Sequence, residues 1–181
     1  MKQIVVADTN MFIDLHAAGL LDVFFRMPWD VHTTDFVMLN LQREDKKSAV
    51  LAFKDKGMLH VAEHEFDEII EINKLEQRYG KKTHVSLIDC SVWYYAKQNG
   101  YILLSCDRNL RQSATSDGVD VKGIRDVFDM MVVKGAISLG SASEKLTLLK
   151  TINQRLSKDE TEKRFKQWQI GKEAAYGRIV L

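Results

Sequence analysis

The chain has 181 residues, 45% hydrophobic and 28% charged, with 26 Lys and Arg against 25 Asp and Glu. That balance excludes bulk electrostatic coating of nucleic acid, and a domain of this size buries roughly 70% of its unfolded surface. Two cysteines, Cys90 and Cys106, exclude a disulfide framework and a four-Cys zinc site. The apolar stretch from Met11 to Phe25 is interrupted by Asp14, His16 and Asp22, so no membrane span is expected. Met1-Lys2-Gln3 leads into a run too short for a signal-peptide core, and a cytoplasmic, reduced protein is expected.

Ile4-Val5-Val6-Ala7 reads as a strand buried on both faces, as in a parallel sheet, and it runs straight into Asp8. Thr9 and Asn10 are candidate caps of a helix through Met11–Ala18, stopped by Gly19, and a second short helix ends near Phe25. Pro28 marks the turn beyond, and Val31–Thr33 reads as a short strand. Thr34 and Asp35 look like caps of a helix through Leu41 and Gln42, with another from about Asp45 to Lys54. Leu59-His60-Val61 is read as an edge strand. His64–Tyr79 carries Phe66, Ile69, Ile70, Ile72 and Leu75 at helical spacing and is closed by Gly80-Lys81-Lys82. The next helix, about Val85–Lys97, has an apolar stripe of Val85, Ile88, Val92 and Ala96, and Asp89 falls on it.

Gly100 feeds a strand over Tyr101–Ser105 that runs into Asp107. A helix at Arg108–Ala114, a short strand at Val119–Val121 and a helical stripe of Ile124, Val127, Phe128 and Met131 follow. Gly135 and Gly140 bracket a turn. Ala142, Leu146, Leu149, Ile152 and Leu156 form another stripe, and a charged helix from Asp159 ends near Trp168. No linker or low-complexity tract divides the chain, so residues 1–181 are expected to form one domain, with C-terminal helices from about 141 packing on it. Alternating strands and helices predict an α/β fold, a three-layer α/β/α sandwich with a central parallel sheet.

Asp8 and Asp107 both follow apolar strands, and each has an Asn two residues later, Asn10 and Asn109. Open α/β sheets hold ligands beyond the carboxyl ends of their strands, so both carboxylates aim at one crevice. They repel each other there unless a cation lies between them. Asp89 on an inward face is costly unless paired, protonated or bound to a metal. Mg²⁺ and Mn²⁺ take oxygen ligands, and such an ion lowers the pKa of water and neutralises phosphodiester charge. The plainer readings are that an Asp after a strand caps a helix, and that a slip of register turns Asp89 outward.

In order and spacing these residues resemble the PIN-domain family of metal-dependent ribonucleases. The resemblance rests on Asp8-Thr9-Asn10, on Ser86-Leu87-Ile88-Asp89 and on Leu104-Ser105-Cys106-Asp107, and it extends from Val5 to about Gly123. It implies Asp8, Asp89 and Asp107 as metal-binding acids for Mg²⁺ or Mn²⁺, with Asn10 and Ser105 as polar support. It also implies an endoribonuclease acting on RNA, in many bacterial members the toxin of a toxin–antitoxin pair silenced by an antitoxin protein, and often a homodimer. One position departs from the family pattern. Asn40, in Val37-Met38-Leu39-Asn40-Leu41, stands where that pattern has a Glu, and Asn109 stands where some members carry a further acid. An Asn oxygen can ligate a cation but brings no charge and cannot act as a base. Glu44 and Asp35 are nearby acids outside the motif.

A second reading is therefore a catalytically weakened PIN-like module that binds RNA or a protein. A third, an aspartate-based small-molecule phosphatase of haloacid-dehalogenase type, needs a second acid where Asn10 stands. Cys90 and Cys106 read as buried packing thiols. The histidines show no ligand-like pairing. Arg108, beside Asp107, is the preferred RNA contact, with Lys81, Lys82 and Arg111 as further candidates for the rim. Trp93, Tyr94 and Tyr95 cannot share one helix face, so they read as core and interface residues.

Overall fold

Five short runs rich in Val, Ile, Leu and Thr form the strands: β1 (Gln3–Ala7), β2 (Trp29–Thr34), β3 (Leu59–Ala62), β4 (Ile102–Leu104) and β5 (Val121–Lys122). The computed structural model describes residues 2–41, 44–152 and 158–169. All five strands pair in parallel in the order β3-β2-β1-β4-β5. The helices are α1 (Thr9–Ala17), α2 (Leu21–Phe25), α3 (Asp35–Asn40), α4 (Glu44–Asp55) and α5 (Phe66–Thr83) in the first half. In the second half come α6 (Leu87–Asn99), α7 (Arg108–Ser116), α8 (Ile124–Val133), α9 (Leu139–Ile152) and α10 (Lys158–Gln169). The expected three-layer α/β/α architecture is the one adopted.

The strand order positions the site. The chain lays down β1, β2 and β3 in one direction, then returns to the other side of β1 for β4 and β5. Order therefore reverses between β1 and β4, where parallel sheets leave a crevice at their carboxyl ends. Val5, Val6 and Ala7 pair with Ile102, Leu103 and Leu104 across that seam, and all six are buried. A strand covered on both faces explains the unbroken apolar run. On one face His32 and Thr34 of β2 reach α6 through the Tyr95 hydroxyl and Ser91 Oγ, each at 2.9 Å. Elsewhere Phe25 stacks on Phe53 at 4.0 Å between ring centroids, which joins α2 to α4. Burial of such a ring contributes about 1.5–3 kcal/mol.

The later helices are tied to this core by polar contacts. Lys145 Nζ on α9 donates to the Ala18 carbonyl at 2.6 Å. On α10, Trp168 Nε1 donates to Asp129 Oδ1 at 2.8 Å, and Arg164 Nη1 lies 2.6 Å from Asp129 Oδ2. Asp129 is almost wholly buried, and burial lifts its carboxyl to about 6 despite that arginine.

Several local expectations are corrected. The α5 helix continues through Gly80 to Thr83 and ends at His84 in the left-handed conformation with φ 57°. Gly80 is a close-approach residue there: an added Cβ would meet Glu76 Oε1 at 2.6 Å and the Val85 carbonyl at 3.1 Å. Val85 lies before α6, whose cap is Ser86. Gly140 is inside α9 rather than in a turn, and Ile152, assigned to a buried stripe, is 58% exposed. The last strand is Val121–Lys122, two residues beyond the expected start. Gln42, Leu156 and the side chains of Glu44 and Asp159 lie outside the described residues. No helix among the described residues is long and apolar enough to cross a membrane.

Candidate active site

Asp8 sits at the end of β1, where its backbone N–H donates to the Leu104 carbonyl at 3.1 Å and extends the β1–β4 ladder. The sequence pointed to Thr9 or Asn10 as the cap of α1, but Asp8 itself is the cap. Its Oδ1 accepts the Met11 N–H at 2.6 Å, and its Oδ2 accepts the Ser105 hydroxyl at 2.6 Å. A carboxylate reaches the helix start from this position because the strand runs directly into α1. The residue is only 2% exposed. Burial raises its pKa more than the two hydrogen bonds lower it, and the negative charges of Asp89 and Asp14 add to the rise, bringing it to about 7.

Ser105 joins the two strand-end acids. Its Oγ, which donates to Asp8, accepts the Asp107 N–H at 3.0 Å. Asp107 in turn caps α7, its Oδ1 accepting the Leu110 N–H at 2.9 Å. The capping role and the strand-end placement therefore coexist in both acids. Asp89 is half-buried in the first turn of α6. Its Oδ2 accepts both the N–H and the hydroxyl of Ser86 at 2.8 Å, closing a capping box. The inward carboxylate expected on an apolar stripe is thus steered by its own helix cap, and its charge is felt at Asp8.

Among the described residues no group of three or more His, Cys, Asp and Glu side chains stands close enough to hold an ion alone. Asp8 and Asp89 share one electrostatic field, while Asp107 is connected to Asp8 through Ser105. A Mg²⁺-type ion takes one or two carboxylates together with waters and substrate oxygens, so an open pair suits it. The donor chemistry fits such an ion: the side-chain donors are hard oxygens, and the charge of Asp89 adds to the burial that raises the proton affinity of Asp8.

The polar supports divide. Asn10 is half-buried in the first turn of α1. Asn40 Nδ2 donates to Thr9 Oγ1 at 3.3 Å, so its amide reaches the residue after Asp8. Arg108 and Asn109 are exposed in the first turn of α7. Arg111 lies deeper, its Nη1 donating to the Ser105 carbonyl at 3.3 Å. Asp35 is half-buried and accepts the Phe36 N–H at 3.0 Å.

One residue escaped the sequence reading. Asp14, on α1, is buried, accepts the Cys106 thiol and raises the Asp8 pKa. It lies among Met11, Phe12 and Leu15, all buried, so the argument that singled out Asp89 on its stripe would also have found it. Both thiols are buried packing groups: burial pushes Cys90 up to about 12 and Cys106 well above the ordinary range. His32, lowered to about 4 mainly by burial, packs tilted against His60 with ring centroids 4.5 Å apart, and His64 packs beside Phe36, Tyr94 and Tyr95. Trp93 is fully buried and Tyr94 and Tyr95 are half-buried, so the three aromatics do divide between faces.

A family model described as a PIN domain matches residues 4–169. Among solved structures, the VapC20 toxin of Mycobacterium tuberculosis, described as cleaving the sarcin–ricin loop, has a TM-score of 0.52 at 15% identity, covering 60% of this chain and 94% of that one. PAE2754 of Pyrobaculum aerophilum has a TM-score of 0.47 at 17% identity, covering 67% of this chain and 92% of that one. No curated protein sequence is significantly similar to the chain. The VapC20 likeness is one of fold, whereas the family match spans nearly the whole sequence and takes in Asp8, Asp89 and Asp107 together. By that match the chain belongs to the PIN-domain family.

Proposed function

We propose that the protein is a divalent-metal-dependent endoribonuclease whose acids are Asp8, Asp89 and Asp107, acting as one unit over residues 1–181 with the helices from about 141 packed on it. The observation that carries this reading is Asp8: a buried carboxyl at the seam where the strand order reverses, hydrogen-bonded to Ser105 and facing a second negative charge. A group held so is stabilised by a cation, and Mg²⁺ or Mn²⁺ supplies charge neutralisation at a phosphodiester and a more acidic water. The chain's own part is placement. Ser105 orients Asp8 and ties the Asp107 backbone to it, and Ser86 orients Asp89. Asn10 and Asn40 line the start of α1 as neutral oxygen donors, Asn109 adds a further amide on α7, and Arg108 supplies positive charge for RNA phosphates at the rim.

For the cellular role we propose a cytoplasmic toxin restrained by an antitoxin protein and working as a homodimer, as the resemblance of the sequence to the PIN-domain family implies; VapC20, similar in fold, is itself a toxin. The test is cleavage of single-stranded RNA with Mn²⁺ by the full chain and by Asp8→Asn. Cleavage by the first and none by the second is the expected result; no turnover by the native chain at saturating metal would sink the enzyme reading. A second reading is favoured by one observation. Asn40, neutral and turned onto Thr9, leaves the site one charge poorer than the family pattern. It describes an RNA-binding module with weak turnover, for which the native chain binds RNA and cuts it slowly.

A further inference from the structure

Beside the acids, an open groove of about 430 Å³ runs between α7 and the outer edge of β5, walled by Arg111, Gln112, Thr115, Ser116, Val121 and Asp126. It is linked to the acids through one lining residue: Arg111 donates to the Ser105 carbonyl, and the hydroxyl of the same serine holds Asp8. From the ribonuclease reading above, on which this rests, we infer that the groove seats the nucleotide adjoining the cleaved phosphodiester. Its phosphate lies on Arg111, its base edge on the Gln112 amide and its ribose hydroxyls against Thr115 and Ser116.

Four features support that occupant. The volume lies within the range of small-ligand sites. The open shape suits one nucleotide of a longer strand better than a free nucleotide, which would be more fully enclosed. The lining offers a cation, an amide that both donates and accepts, the Thr115 hydroxyl, and the Ser116 hydroxyl as an acceptor, its proton being donated to the Ser113 carbonyl at 2.7 Å; this is the chemistry of phosphate, base and ribose. Its one acid is already engaged: Asp126 accepts the Gly123 N–H at 2.7 Å and lies 3.4 Å from Arg164 of α10. An extended peptide is the other candidate for a groove beside an edge strand. But β5 has two residues, too short a template for a ladder of backbone hydrogen bonds.

The experiment uses the full chain carrying Asp8→Asn, titrated by fluorescence anisotropy with a short labelled single-stranded RNA and with its DNA counterpart. Gln112→Ala and Thr115→Trp, both at exposed positions, are then added singly, and melting curves verify that each variant is folded. Each is expected to weaken RNA binding about tenfold, the size of one lost base contact, with the DNA strand binding less well throughout. With Asp8 intact, Gln112→Ala is expected to redistribute the cleavage positions. RNA cut at unchanged positions and bound with unchanged affinity by both variants overturns the groove while leaving the ribonuclease reading intact. Binding that depends on Gln112 in a native chain that never cuts keeps the groove as an RNA site but defeats the ribonuclease reading, and with it the placing of the groove beside a cleaved phosphodiester.

Discussion

Replacing Asp8 by Asn keeps the side chain's size and an oxygen for the Met11 N–H, but removes the charge that burial opposes. In the metal-free folded chain this carboxyl is pushed from 3.8 up to about 7, chiefly by desolvation and further by Asp89 and Asp14. The unfolded chain ionises near the ordinary value, so between about pH 4 and about pH 7 the folded state binds more protons than the unfolded one. Stability is therefore full below the unfolded pKa, falls as the pH rises and levels off once the folded pKa is passed. A rise of about three pH units, at ~1.4 kcal/mol for each, corresponds to ~4 kcal/mol lost by about pH 8. Asp8→Asn does not titrate and escapes that loss. Urea unfolding in EDTA across this range should show the two proteins equally stable near about pH 4 and the variant ~4 kcal/mol more stable near about pH 8. Asp129, at about 6, titrates in both proteins and cancels from the difference. A difference independent of pH, or a native chain more stable than the variant near about pH 8, would refute the reasoning.

Three further outcomes follow from named contacts. Arg164→Ala takes away the ion-pair partner of the buried Asp129, leaving it the Trp168 hydrogen bond and the weaker influence of the Arg125 charge, and should cost ~3–5 kcal/mol in urea unfolding near neutral pH, less once Asp129 is protonated in acid. Ser86→Ala removes the side-chain cap of α6 and the hydroxyl bond to Asp89 while the backbone N–H bond stays, so it should lower stability by ~1 kcal/mol in thermal melts and weaken Mn²⁺ binding as well. Asn40→Glu adds a charge beside Thr9 and should tighten Mn²⁺ binding about tenfold and quicken RNA cleavage, since ligand charge sets affinity for hard cations; unchanged affinity would place position 40 outside the ion's reach.

The parallel sheet was legible because Ile4–Ala7 and Ile102–Leu104 are uninterrupted apolar runs, a pattern that only strands covered on both faces tolerate. The places of Asp8 and Asp107 beyond apolar strands were legible in the same way. What eluded the sequence was set by tertiary contact. Gly80 reads as a helix stop, yet it lies inside α5, at a point where Glu76 and the Val85 carbonyl crowd the space a side chain would need. Ile152 continues the spacing of Leu146 and Leu149 but lies one turn past the packing surface. That Asp8 caps its own following helix was one plain reading of the sequence, but Thr9 and Asn10 are equally good capping residues, and only the strand-to-helix geometry chooses among them. Asp14 was passed over because an acid inside an apolar stripe reads as an interruption until its surroundings are known.

Calorimetric titration of Mn²⁺ into the native chain and into Asp8→Asn tests the central claim most directly. The native chain should give saturable binding that the variant loses. Equal heats from both proteins, or none from either, would contradict the assignment of these acids to a metal.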